Sequence, residues 1–387
     1  MKKVLFKIKS LGLGGIEKLT VDILNNLKLE DKKIVLMLEK REDFFKNQIP
    51  EEIEIVYLKS EKLEKIIENI KNKKRNIFYK ILYNLLMNYE KIEMARNVNK
   101  YISLNKEAKM FIDYSGTATK YISKISIEKK FYWNHLSIGK MKYSKRERML
   151  KRLNNYTQIV AICEEMAQEI KTIFPELSSK VKVVYNFIDE EKIKLKMKED
   201  KKLEEELSKE KYCISVGRLS EPKDYETTIK AFKHLKKRGI KEKLFIIGDG
   251  DLKEKLNKLI KELDLEGQVF LLGMKENPYL YMKNANILIH SSKKEGFPMV
   301  LLEGMYVGVP IICSNFKTGA CELIEKEKNG EIFEIGNYEE LADKVESLLK
   351  NNELRKNYIE KSKKFVEKFY IEKIMNEYKN LIINLEK

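Results

Sequence analysis

The chain has 387 residues, 77 Lys plus Arg against 60 Asp plus Glu, a formal net charge of +17, and 43% hydrophobic residues. That length exceeds one typical hydrophobic core, so two domains are expected, and no apolar run approaches the ~20 residues a membrane-spanning helix needs. The four cysteines, Cys163, Cys213, Cys313 and Cys321, form no CxxC, and only three histidines occur; a disulfide framework, a zinc site or another all-protein metal site is not expected.

The start, MKKVLFKIKSLGLGG, is basic but lacks a signal-peptide apolar core. It reads as a strand, VLFKI, then a glycine loop, and a cytoplasmic protein is expected. GIEKLTVDILNNL follows as a helix with Ile16, Leu19, Ile23 and Leu27 on one face. IVLML and IEIVYL read as strands, and residues 61–104 as mostly helical. Then come MFIDY, a helix ATKYISKIS, the strand KKFYWNH, a basic helix, and the strands TQIVAIC and VKVVYNFID. Residues 189–211 are charged and of low complexity, which makes them the boundary candidate. Strand–helix alternation then restarts through YCISVG, KLFIIGDG, QVFLLG, ANILIHS and PIICS, with a charged helical tail from about Asn352. Alternation of this kind predicts two doubly wound parallel α/β domains.

In such sheets ligands sit at the carboxyl ends of strands, and the informative residues fall there. The loop GLGGIEKL carries Gly12, Gly14 and Gly15. It is either a structural turn or a loop for an anion; Glu17 breaks GxGxxG and disfavours an NAD site. His135 follows KKFYWN beside the only tryptophan, Trp133. It is either structural or a polar group that donates to a sugar hydroxyl or phosphate oxygen. His234 and His290 read as structural. Gly217 ends a strand, and Arg218 and Lys223 bracket the next loop, either as a diphosphate clamp or as solvated charges. Gly248, Asp249 and Gly250 end a strand before a helix, either as a turn with Asp251 a candidate N-cap or as a ligand contact.

The most informative run is EGFPMVLLEGMYVGVP, with Glu295 before a helix start, Pro298 near its first turn and Glu303 inside it. Free N–H groups and the helix dipole suit a phosphate. The carboxylates suit sugar hydroxyls, and a nucleotide-sugar offers both.

Charge is uneven. Residues 71–100 carry eight basic groups against two acidic, and 139–152 seven against one. Lysines interleaved with Phe78, Tyr79, Ile81, Leu82 and Tyr83 suit an anionic membrane surface, although an ordinary helix with a solvated basic face has the same pattern. Nucleic acid is not expected, since no recognition motif accompanies the charge.

The ordered set GLGGIEKL, His135, GRLSEPKD, IIGDG, EGFPMVLLEGMYVGVPII, GACELI and NGEIF resembles glycosyltransferase family 4, retaining nucleotide-sugar transferases of GT-B fold. The resemblance implies an acceptor-binding domain at 1–190, a donor-binding domain at 191–365 and a helix at 366–387 that crosses back to the first. It implies that Glu303 holds ribose hydroxyls and that Glu295, with the backbone at Gly296 and Phe297, contacts the donor sugar. Arg218 and Lys223 would neutralise the diphosphate, and Gly14 and Gly15 would approach it. His135 matches the active-site histidine. Gly217, Gly248 and the helix start Pro298, Met299 and Val300 complete the expected donor set. Asp224 stands where the family has glycine, and His290 where proline is common before the serine pair.

The activity so implied is retaining transfer of a hexosyl or N-acetylhexosaminyl unit from a nucleotide-diphosphate sugar, UDP-linked, to a hydroxyl of a growing, lipid-linked surface glycan. No cofactor and no metal are expected, and the site would be cytoplasmic or peripheral on the inner membrane face. A catalytically inactive partner subunit of the same fold and a nucleotide-sugar epimerase are the rival expectations.

Overall fold

The computed structural model describes residues 1–139, 141–325 and 328–384. Lys140, within the basic stretch 139–152, and residues 385–387 at the end of the expected crossing helix lie outside the described residues. The chain divides into two compact units, one of residues 1–162, 166–184 and 375–384, the other of 163–165 and 185–374.

The first unit holds a seven-stranded parallel sheet of β1 (Lys2–Ile8), β2 (Lys32–Leu38), β3 (Glu54–Tyr57), β4 (Ala108–Asp113), β5 (Lys129–Asn134), β6 (Gln158–Ala161) and β7 (Val181–Val183). Its order is β3-β2-β1-β4-β5-β6-β7, with Leu5 opposite both Val35 and Phe111. The second unit holds β8 (Tyr212–Val216), β9 (Lys243–Ile247), β10 (Val269–Gly273), β11 (Ile287–His290), β12 (Ile311–Ser314) and β13 (Glu331–Phe333) in the order β10-β9-β8-β11-β12-β13. All pairings are parallel. The expected fold class is borne out: these are two doubly wound α/β domains. Central strands are apolar runs because helices cover both faces; Phe111, Ile112, Ile214 and Leu288 are fully buried.

In each sheet the chain winds outward one way, then returns to wind the other. The switch falls between β1 and β4 in one sheet and between β8 and β11 in the other. The carboxyl-end crevice at a switch point is where an open α/β sheet binds ligand.

Three local expectations change. ATKYISKIS is two 3₁₀ turns, Thr117–Lys120 and Ile122–Lys124. Gly116 at φ 68° and an Ala118 N–H donated to the Asp113 carboxylate at 2.9 Å pull the segment into a tight bend. The charged stretch after 189 is two short helices, Glu190–Lys196 and Lys201–Ser208, each capped by an aspartate side chain, Asp189 or Asp200. A helix at Glu164–Ile173 that was not anticipated follows β6. The last helix, Ile371–Asn384, has its described residues from 375 on in the first unit, where Tyr378 stacks on Trp133 at 5.0 Å.

Candidate active site

The second unit's switch point carries most of the candidate chemistry. Lys223 follows β8 and Glu295 follows β11, and they meet across it with Lys223 Nζ 2.6 Å from Glu295 Oε1. His290, the last residue of β11, donates from Nε2 to the same oxygen at 3.0 Å, and Ser292 Oγ donates to it at 2.5 Å. Three donors therefore converge on Oε1, while no described side chain donates to Oε2. Burial works against the carboxylate, but the His290 hydrogen bond and the Lys223 charge outweigh it and hold the Glu295 pKa at about 2. Burial also lowers the His290 pKa, against the pull of the Glu295 carboxylate that its Nε2 bonds.

The residues around this pair are fixed by backbone bonds. Ser291 Oγ donates to the carbonyls of Lys223 (3.0 Å) and Asp224 (2.9 Å), joining the ends of β8 and β11. Thr318 Oγ1 donates to the Glu295 carbonyl at 2.7 Å from a left-handed backbone, φ 73°. A β-branched residue held there is strained, as residues at ligand sites often are. Asp224 takes φ 49°, which explains why glycine suits the position and why Asp, which tolerates this region, can replace it. Its carboxylate is held by Thr227 at 2.7 Å and Lys293 at 3.0 Å.

Arg218, next to Gly217, is exposed and has no side-chain hydrogen bond or ion pair among the described residues. Gly248 is fixed by close approach: a Cβ there would lie 1.9 Å from the Gly217 carbonyl oxygen, and one at Gly250 2.4 Å from that of Leu219. Asp251 caps nothing; the helix after this turn is Lys253–Glu262 with Leu252 at its N-cap.

Pro298 is the N-cap rather than the first helical residue of Met299–Val307, and no side chain caps that helix. The N–H groups of Met299 and Val300 are thus open to a ligand anion. Gly296 is half-buried. The Phe297 side chain packs against Tyr185 and Phe369, leaving its backbone for any ligand contact. Glu303 sits a turn further in and accepts from Tyr279 OH at 3.1 Å.

The first unit holds the other candidates. His135 follows β5, and its Nε2 bonds the Tyr114 carbonyl at 2.8 Å, so that nitrogen carries the proton. Burial lowers its pKa to about 4, so the ring is neutral and Nδ1 is an acceptor. It would accept from a hydroxyl, not donate as expected. The loop after it is tied down by Glu169, which accepts from Ser137 Oγ, Ile138 N and Gly139 N at 2.8, 2.8 and 3.1 Å. Gly14 is the N-cap of the helix Gly15–Asn26, again without a side-chain cap.

Two features were missed in the sequence. One is His290, read as structural because a histidine ending an apolar strand resembles core. The other is a buried network at the first sheet's switch point. Lys7 Nζ lies 2.6 Å from Glu39 and 3.2 Å from Asp113, and Tyr156 OH donates to Asp113 at 2.8 Å.

Residues 196–365 match the family model for glycosyl transferases, group 1. A Campylobacter jejuni N-acetylgalactosamine-N,N'-diacetylbacillosaminyl-diphospho-undecaprenol 4-alpha-N-acetylgalactosaminyltransferase is 38% identical over 184 residues, 48% of either chain. An uncharacterized glycosyltransferase of Methanocaldococcus jannaschii is 30% identical over 73% of this chain and 70% of its own length. A second Campylobacter jejuni enzyme, GalNAc-alpha-(1->4)-GalNAc-alpha-(1->3)-diNAcBac-PP-undecaprenol alpha-1,4-N-acetyl-D-galactosaminyltransferase, is 25% identical over 100% of this chain and 99% of its own. The chain spans about half the length of the first curated relative it matches. Among solved structures, Anabaena HepE in complex with UDP and glucose has a TM-score of 0.76 at 17% identity, with 99% of each chain covered. A mutant of Staphylococcus aureus TarM in complex with UDP has 0.73 at 15%, covering 99% of this chain and 100% of its own. At these identities the likeness is one of fold, that of the two-domain GT-B glycosyltransferases.

Proposed function

The chain belongs to the group 1 glycosyl transferases, and we propose that it moves a hexosyl or N-acetylhexosaminyl unit from a UDP-sugar to a hydroxyl of a lipid-linked glycan, with retention. The observation that carries this is the Lys223–Glu295 pair astride the second sheet's switch point, next in sequence to an uncapped helix start and accompanied by the unpaired Arg218. Arg218 and Lys223 stabilise the diphosphate as the glycosidic bond breaks, an electrostatic role that needs no metal. Glu295 uses its uncommitted Oε2 for a sugar hydroxyl, and Glu303 holds the ribose. No carboxylate stands out as a nucleophile, so the leaving phosphate takes the acceptor proton on the same face.

The acceptor reading is supported by two relatives whose names specify undecaprenol-linked substrates. The first unit adds a surface feature. The helix Ile77–Leu104 exposes Phe78 (82%), Leu85 (62%) and Ile81 (56%), while Lys73 and Lys74 lie over the rings of Tyr79 and Tyr83. Apolar side chains on such a helix, flanked by cations, suit the face of an anionic bilayer. No helix among the described residues is long and apolar enough to cross a membrane.

The experiment is a thermal-shift screen of nucleotide-sugars, then mass analysis of products with polyprenyl-diphosphate glycans. A new glycan supports transfer. Free epimerised donor formed without acceptor overturns it in favour of an epimerase, and no turnover with any donor favours an inactive partner subunit.

A further inference from the structure

Tyr378 lies on the last helix, Ile371–Asn384, with Met375 and Ile382 buried beside it. Spacings of three and four residues put these side chains on one stripe of the helix. The Tyr378 ring is fully buried and stacks on Trp133 at 5.0 Å and 18°. Trp133 packs on Tyr114 at 5.5 Å, and Tyr114 meets the His135 ring edge-on at 4.6 Å and 72°. Trp133 and His135 are two residues apart at the end of β5, which puts both on one face of the sheet. Tyr114 therefore holds His135 twice, by its ring and by the carbonyl that accepts from Nε2 at 2.8 Å. The Tyr114 backbone is tied to β1 through its N–H, donated to the Lys7 carbonyl at 2.9 Å. Its ring is set by packing, against Phe6 at 5.0 Å and against the Trp133–Tyr378 stack. The two tyrosine hydroxyls lie 3.4 Å apart, too long for a strong O–H···O bond, so stacked area and not that bond holds the ring.

We propose that Tyr378 is a positioning residue, whose ring, through Trp133 and Tyr114, fixes His135 in the orientation that presents Nδ1 to a substrate hydroxyl. The word substrate rests on the transferase reading; the orientation of the ring does not. Two forces compete at the imidazole. Burial lowers its pKa to about 4, and the Tyr114 carbonyl pulls the other way. An orientation kept by packing and one backbone bond is lost when the packing loosens, because the ring is then free to turn and take up water.

The test uses the full chain with isotope-labelled histidine and needs no ligand. The chain has three histidines, and His135→Asn identifies the signals of this one by nuclear magnetic resonance. In the wild type His135 is expected to stay neutral and protonated at Nε2 from about pH 5 to about pH 8. In Tyr378→Leu it should titrate inside that window, its midpoint moving up from about 4 toward the ordinary 6.5. Tyr378→Phe keeps the ring and should match the wild type. Trp133→Phe thins the stack and should move the signal the same way by less, which keeps the proposal testable if the leucine variant does not fold. Ile382→Ala loosens the same helix outside the stack, and should lower thermal stability without moving the His135 signal. Hydrolysis of UDP-N-acetylgalactosamine is followed in parallel, and kcat should fall ~10-fold or more in Tyr378→Leu with KM little changed, the pattern of a misplaced group. A His135 signal unmoved in both Tyr378→Leu and Trp133→Phe overturns the proposal. So does an equal shift in Ile382→Ala, which would make the effect one of helix docking at large, and so does a shifted signal with kcat unchanged. A shifted signal in a chain whose wild type shows no turnover supports the positioning and removes the transferase reading instead.

Discussion

Lys223 Nζ and Glu295 Oε1, 72 residues apart in sequence, lie 2.6 Å apart across the line where the second sheet reverses its winding. The pair does two things at once. It neutralises a half-buried lysine, and it turns the carboxylate so that Oε2 is the uncommitted oxygen. Glu295→Gln keeps the shape, removes the charge, and leaves Lys223 without a counter-ion. We expect a stability loss of ~1–3 kcal/mol, the cost of a charged group losing its partner, together with a lower turnover than the wild type. Thermal unfolding and donor-hydrolysis kinetics check both, and a variant with wild-type values for each would remove Glu295 from the site.

Arg218→Ala combined with Lys223→Ala should raise the barrier by ~2–4 kcal/mol, the scale of lost electrostatic stabilisation at a transition state. The loss belongs in turnover more than in KM if the cations act on the leaving group. EDTA should leave the wild-type rate unchanged. Near-normal turnover in the double variant counts against the clamp, and a rate abolished by EDTA and restored by a divalent cation counts against metal independence.

Glu303→Ala should weaken UDP binding by lost ribose contacts. Tyr279→Phe removes the hydroxyl that bonds Glu303 at 3.1 Å, and should produce a smaller loss in the same direction, ~1 kcal/mol. Calorimetry with UDP reads both. If Glu303→Ala binds UDP as the wild type does, the ribose assignment is wrong.

Acid should expose the Glu295 carboxylate's contribution to stability. Its folded pKa, about 2, lies below the ordinary 4.5, so the unfolded chain takes up the proton first. The contribution is therefore full above about pH 4.5 and falls away as pH drops toward 2, by ~3 kcal/mol in all. Denaturant unfolding from pH 5 to pH 2.5 should show a shallower loss in Glu295→Gln than in the wild type. Parallel curves would mean that the carboxylate is not held down by His290 and Lys223.

Vesicle co-sedimentation should require anionic lipid and fall as salt rises. Phe78→Ser with Leu85→Ser removes exposed apolar area and should weaken binding without changing thermal stability, because neither side chain is packed. Equal binding to neutral vesicles would remove the electrostatic part of this reading, and unchanged binding of the double variant would remove the helix from it.

Much of the fold was legible because central parallel strands bury both faces and so appear as apolar runs such as VLFKI and ILIH. The Glu295 and Glu303 run was legible because a strand end, a Gly-Phe-Pro turn and a helix are adjacent in sequence. Lys7 was not, because in a lysine-rich chain a lysine inside a strand looks solvated. Only the return of β4 beside β1 brings Asp113 to it. His290 was hidden for a related reason: its partner Glu295 is nearby in sequence, but the turn that folds one onto the other is a matter of three dimensions. The 3₁₀ turns after Asp113 were missed because helical periodicity cannot see the Ala118 N–H that the buried carboxylate takes.

Gly248 and Gly250 lie against the backbone of Gly217 and Leu219 so closely that no side chain fits between the two loops. These positions offer no foothold for tuning by substitution, since any Cβ would force the ends of β8 and β9 apart. Under selection, or in a library of variants, this meeting of the two loops is a fixed floor.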